Sequence, residues 1–210
     1  MAAAGVSIQM NFAREIQRAT ALIQATPNQL QKATDRATRK TIKWLSTRLA
    51  REIGQALNIP QKAIKNRITT SIAGEGVGRV HILWLGVAPV AAEQLGKARQ
   101  TKTGVSVGRR RYEGAFYRDV YGDGDKVWIR KSRAVALAMD LPDWGGKKGG
   151  DGSFLRNPDA RGRFPVRRVS VDISNVANDV FRRYDKRAIE RFGTLIDQEL
   201  NYVVNHERKR

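Results

Sequence analysis

IPQKAIKNRITTSIAGEGVGRVHILWLG, residues 59–86, is where the chain stops repeating with a helical period and begins to alternate. Pro60 pushes Ile59 out of the helical region and so closes whatever helix precedes it. Pro60 to Asn66 has the length of one short helix. Beyond it, Ile68 to Ala73 and Gly78 to Leu85 are rich in β-branched and aromatic side chains. Gly74-Glu75-Gly76-Val77-Gly78 between them supplies turn glycines, so the stretch predicts a β-hairpin.

On the N-terminal side the pattern is helical. After a short tail, Asn11 to Gln24 places Phe12, Ile16, Ala19 and Ile23 at helical spacing. Thr26 followed by Pro27 starts a second helix, because threonine is a good N-cap and proline is tolerated in the first helical position. Leu30, Ala33, Ala37, Trp44, Leu45, Leu49, Ile53 and Leu57 continue its apolar face to Asn58. The other face carries Lys32, Arg36, Arg39, Lys40, Lys43, Arg48 and Arg51, and a charge run of this kind is ordinarily a solvated helix face.

On the C-terminal side, Gly86 to Gly96 is irregular, with room for a helical turn. Lys97 to Arg111 alternates weakly and carries two glycines, which suggests an exposed, mobile β-arm. Tyr112 to Tyr121 and Lys126 to Lys131 frame Gly122-Asp123-Gly124-Asp125, the clearest hairpin in the chain. Pro142 to Arg163 has no periodicity and reads as a long surface loop. Pro165 to Val171 alternates as a strand. The final segment is a long helix through Val176, Val180, Tyr184, Phe192, Ile196, Leu200 and Val203, with Asp172 or Ser174 as N-cap. The order predicts an α+β protein: an antiparallel sheet with long N-terminal and C-terminal helices packed on one face, plus a projecting arm at 97–111 and a loop at 142–163. One domain over residues 1–210 is the expectation for this length.

The chain carries 39 Lys and Arg against 20 Asp and Glu, a formal net charge of +19. Residues 97–133 hold eleven basic and four acidic side chains. Such an excess repels itself, so the expected partner is negative: phosphate backbone, anionic membrane or acidic protein. No run approaches the roughly 18 apolar residues of a spanning helix. The opening residues lack a charged region leading into an apolar one, so a membrane partner is not expected and the start reads as intracellular. The absence of cysteine excludes a disulfide framework and thiolate metal sites.

Catalytic chemistry has few places to hide. Of two histidines, His81 alternates with Val80 and Ile82 as an ordinary sheet residue, and His206 lies in the basic tail. Asp123 and Asp125 have the spacing of a divalent-ion loop but lack its remaining oxygen ligands, so a tight turn is the better reading. Gly74 to Gly78 and Gly145 to Gly152 both miss the patterns of phosphate-cradling loops. The expectation is a non-enzyme with no cofactor and no metal.

The richest constellation is Arg109-Arg110-Arg111-Tyr112-Glu113-Gly114-Ala115-Phe116-Tyr117-Arg118, followed across the turn by Lys126, Trp128, Arg130, Lys131 and Arg133. Basic residues interleaved with aromatics can hold phosphates and stack on bases. In a hairpin, Gly114, Ala115, Phe116 and Trp128 are better placed as its structural core. Arg109, Arg110, Arg111, Arg130, Lys131 and Arg133 are then the candidates for contact with DNA phosphate or an acidic partner. On this reading alone, a sequence-independent nucleic-acid-binding protein of the cytoplasm is an open alternative.

The chain resembles the minor tail protein Z family of tailed bacteriophages, the lambda-type tail-completion proteins. The likeness rests on the basic Ala-rich helix from Ala33 to Ile53, the element Ile59 to Arg67, the run Arg109 to Arg111, and Gly114-Ala115-Phe116 before a turn. Val127-Trp128-Ile129-Arg130, Phe164 to Val171 and a long helix with a basic end follow in the same order. Pro142 to Arg163 departs from the pattern as an insertion. The resemblance implies a virion protein at the head-proximal end of the tail, made in the host cytoplasm, that takes part in head–tail joining. It further implies a homo-oligomeric ring, a hexamer before a dodecamer, whose partners are other neck and tail proteins, such as a terminator, adaptor or stopper, and packaged DNA.

Overall fold

The structure is a computed structural model that describes residues 5–75, 79–139, 141 and 165–207. In chain order its first elements are β1 (Gly5–Asn11), α1 (Ala13–Leu22), α2 (Pro27–Ala56), α3 (Gln61–Lys65), β2 (Ile68–Ala73) and β3 (Val80–Gly86). Short strands follow: β4 (Val90–Ala91), β5 (Ala98–Gln100), β6 (Gly104–Val107), β7 (Arg110–Glu113), β8 (Ala115–Arg118) and β9 (Lys126–Arg130). The last elements are α4 (Lys131–Ala136), β10 (Val166–Arg168), β11 (Ser170–Val171) and α5 (Ser174–Asn205). The protein is α+β, with long helices near both ends of the chain. Where one domain is expected, the contacts gather into two compact units, Met1–Ala88 with Ser174–Arg210, and Pro89–Ile173.

In the first unit, Thr26 caps α2 as its sequence predicts. Its hydroxyl accepts from the Gln29 amide while the Gln29 side chain accepts from the Thr26 amide, and Pro27 opens the helix. The helix stops at Leu57, and Asn58 turns the chain with φ 50°. α2 and α5 lie against each other. Ala33, Ala37, Leu45, Leu49, Ala50 and Ile53 on α2 and Ala177, Ala188, Ile196 and Leu200 on α5 are buried, while Gly193 of α5 lies against Glu15 and Arg18 of α1.

The hairpin of β2 and β3 forms with Ile68 opposite Leu85 and Ala73 opposite Val80. The short N-terminal tail expected from the sequence is instead β1, which pairs antiparallel with β3 from Gly5 opposite Gly86 to Asn11 opposite Val80. The reason is its alternation: Ile8 and Met10 turn to the same face as His81, Leu83 and Leu85, and all five are buried. On the opposite face the Trp84 ring lies over Gly5, where a Cβ would come within 2.2 Å of it.

Among the described residues, the single sheet expected from the sequence is replaced by four small ones: β1-β3-β2, β5-β6-β7, β8-β9-β10 and the pair β4-β11. The strand expected at Pro165 to Val171 divides between two of them, with Val169 donating to the Val127 carbonyl at 2.9 Å. Residues 97–111, expected as an arm or loop, are paired strands. They form β5, β6 and the first half of β7, because Gly104, Val105 and Val107 pack inward. Gly104 lets two backbones close, since a Cβ there would sit 2.1 Å from the Tyr112 carbonyl oxygen. The loop expected at 142–163 lies outside the described residues.

Candidate functional site

The basic constellation sits on β7, β8 and β9, which belong to two sheets, and on the start of α4, all in the second unit. Gly108 (φ 57°) and Arg109 make the two-residue turn that joins β6 to β7. With glycine first, that turn suits the twist of the flanking strands. Residues directly opposite in a sheet share a face. Arg110 is opposite Val107 and Tyr112 opposite Val105, and both are half-buried on the inward side. Arg111 is opposite Ser106, which is opposite Arg99 of β5. That places Arg99, Ser106 and Arg111 in one row across three strands, with the arginines about 10 Å apart, two inter-strand spacings.

Lys97, Arg99, Lys102, Arg109 and Arg111 are exposed, and among the described residues none of them meets a carboxylate. An unpaired cluster of this kind presents its full charge to solvent and suits an extended anion. Inward of it, burial raises the Tyr112 hydroxyl above the usual tyrosine range, and the Arg110 guanidinium beside it works the other way. Arg110 thus serves the sheet interior more than the surface.

The remaining candidates separate. Arg130 is exposed at the end of β9. Lys131 begins α4, half-buried, with its amide donating to the Pro165 carbonyl at 2.8 Å. Arg133 turns back to pair with Glu113 at 2.5 Å and lies over Gly114, where a Cβ would touch it at 2.9 Å. It is a strut between α4 and the β7–β8 junction.

Of the four residues assigned to the hairpin core, Ala115 and Trp128 are buried, and Phe116 is half-buried opposite Trp128. The Trp128 indole donates to the Arg118 carbonyl at 3.1 Å and meets Tyr121 edge-on. Gly114 is at the surface; its φ of 69° redirects the chain from pairing with β6 to pairing with β9. The aspartate-rich turn is built by Asp119, whose carboxylate accepts from the Gly122 amide at 2.6 Å. Burial pulls that carboxyl upward, but the amides of Gly122, Gly124, Asp123 and Tyr121 outweigh it and hold it below the usual range. Asp123 pairs with Lys126, and no group of three metal-binding side chains occurs among the described residues.

The basic face of α2 is partly used internally. Arg36 pairs with Glu207 at 2.5 Å and Lys40 with Glu199, leaving Lys32, Lys43, Arg48 and Arg51 exposed. His81 is a buried sheet residue stacked on Phe12 at 5.8 Å. Burial first, and then Arg79, holds its pKa below the ordinary histidine value, against the pull of Asp35.

Sequence reasoning missed Arg99, because only strand register shows that it shares a row with Arg111. It also missed the cavity beside His81, whose walls come from three separate segments. Among the described residues, no helix is long and apolar enough to cross a membrane. Compared with known proteins, the chain matches no family model, no curated protein and no solved structure.

Proposed function

We propose that the chain is a structural, non-enzymatic component of a tailed-phage neck: a tail-completion protein that assembles head to tail into a ring around the DNA channel. The ordered resemblance to the minor tail protein Z family supports this reading. The observation that carries it is the unpaired basic face formed by Arg99, Arg109 and Arg111 with Lys97 and Lys102. Such a face neutralises phosphate without reading sequence, which is what a surface along a DNA channel requires.

The edge strand β2 adds support for assembly. It flanks β3 on one side only, is exposed on both faces beyond Ile68, and includes neither proline nor lysine to discourage pairing. Ile72 on it is 60% exposed. In a ring, one patch of each subunit meets a different patch of its neighbour, and an edge of this kind suits that contact. The mass of the purified full chain in its assembled form tests the proposal. A hexamer is expected, with a dodecamer also compatible; a chain that stays monomeric and is absent from virions overturns it.

The same basic face favours one other reading, a sequence-independent nucleic-acid-binding protein. A monomer that binds duplex DNA tightly, with affinity falling steeply as salt rises, would favour it over the ring.

A further inference from the structure

Between α1, the first turns of α2 and the start of β3 the first unit has a half-open cavity of about 400 Å³. Phe12, Ile16, Pro27 and Leu30 supply the apolar part of its wall. The polar part has a regular origin. Thr34 and Thr38 are four apart on α2 and so lie on one helix face, and Arg79, just before β3, lines the cavity with His81 of that strand.

One of those groups, the Thr38 hydroxyl, is incomplete, and His81 lines the same cavity. Thr38 is 4% exposed, and its hydroxyl has no hydrogen-bond partner. His81 is also 4% exposed and stacks on Phe12. Buried polar groups are nearly always satisfied, and an unpaired one marks a place that something else completes. A third group sets the charge. The Arg79 guanidinium is held by the Asp35 carboxylate at 2.6 Å, so the cavity has a matched ion pair at its rim and no spare charge. Burial holds His81 below its ordinary pKa, which disfavours the charged ring. The volume lies toward the small end of ligand pockets.

We propose that this cavity binds an uncharged, ring-sized amphipathic molecule carrying one hydroxyl group, its body against Phe12, Ile16 and Leu30 and its hydroxyl exchanging hydrogen bonds with Thr38 and His81. The matched Arg79–Asp35 pair excludes phosphates and carboxylates as preferred ligands. An apolar floor with a few convergent polar groups is the general construction of a small-molecule site. This site is independent of the ring reading and of the basic face in the other unit.

The test is a titration of the full-length protein with p-cresol, toluene and p-toluate, followed by amide and side-chain NMR shifts. p-Cresol is expected to move the signals of Thr34, Thr38 and His81 and to saturate. Toluene should bind about fivefold more weakly, the loss expected for one net hydrogen bond, and p-toluate more weakly than p-cresol. The isosteric variant Thr38→Val should narrow the preference for p-cresol over toluene while leaving toluene binding in place. Equal binding of p-cresol and toluene to the wild-type protein overturns the proposal, as does tighter binding of p-toluate. A cavity whose signals no probe moves, holding water alone, overturns it too.

Discussion

Phe12 and Phe192 lie face to face, ring centroids 3.8 Å apart and planes 7° from parallel. Phe12 is the single residue between β1 and α1, and Phe192 is in the middle of α5, so one aromatic contact ties the first strand to the last helix. Both rings are essentially fully buried. Replacing Phe192 with Ala is expected to cost about 3–5 kcal/mol, as large-to-small changes of buried aromatics do. Urea unfolding measures it, and a loss below about 1 kcal/mol would mean the stack is not a central contact.

His81 predicts a pH dependence. Its folded-state pKa is lowered, so the unfolded chain takes up a proton that the folded chain resists. Stability from this group is fully present above the unfolded value of about 6.5 and is lost as pH falls below it. Thermal unfolding between pH 7.5 and 5.5 should show a decline that the His81→Leu variant lacks. A parallel decline in both proteins would assign the effect to other groups.

The pair of Lys40 and Glu199 is asymmetric: the Glu199 side chain is 8% exposed, the Lys40 side chain 60%. Lys40→Ala strands a nearly buried carboxylate and should cost about 1–3 kcal/mol, less than for a fully buried pair because the lysine side is solvated. Changing both residues, Lys40→Met with Glu199→Leu, should recover most of that loss in chemical denaturation.

Arg99 and Arg111 are predicted to act together on polyanions. If the row contacts a DNA backbone, changing both to Ala should make the plot of log affinity against log salt shallower by about 2. Arg133→Ala should leave that slope alone and weaken the second unit slightly, because Arg133 is committed to Glu113 at 2.5 Å. Fluorescence titration of duplex DNA at several salt concentrations separates the two effects.

Gly104→Ala would drive a methyl group into the Tyr112 carbonyl, 2.1 Å from the Cβ position. The pairing of β6 with β7 must then open, and a loss above about 2 kcal/mol is expected from a clash with backbone that cannot yield. Circular dichroism melting compared with Ser106→Ala, an outward-facing change on the same strand, checks it.

What the sequence made legible was what is local. Thr26 and Pro27 announce the start of α2, and the hairpin of β2 and β3 is written in two alternating runs with glycines between. β1 was not legible, because its alternation has meaning only against β3, roughly seventy residues away in the chain. The basic site was half legible. Arg109, Arg110 and Arg111 stand out as a triplet, yet strand geometry turns Arg110 inward and Arg111 outward. It joins Arg111 instead to Arg99, twelve positions earlier. Long-range register and the inward or outward choice are tertiary properties, and composition carries neither.

The first unit is interrupted in sequence: its strands and α2 come before residues 89–173, and α5 comes after them. On the ribosome, Phe12, Leu45, Leu49 and Leu83 are therefore made well before Phe192, Ile196 and Leu200 exist to cover them. At about 5–20 residues per second, that interval lasts on the order of ten seconds. During it the intervening unit can complete its own sheets while the earlier half waits with apolar surface uncovered. Nascent chains of this protein should accordingly depend on holding chaperones until α5 emerges from the exit tunnel.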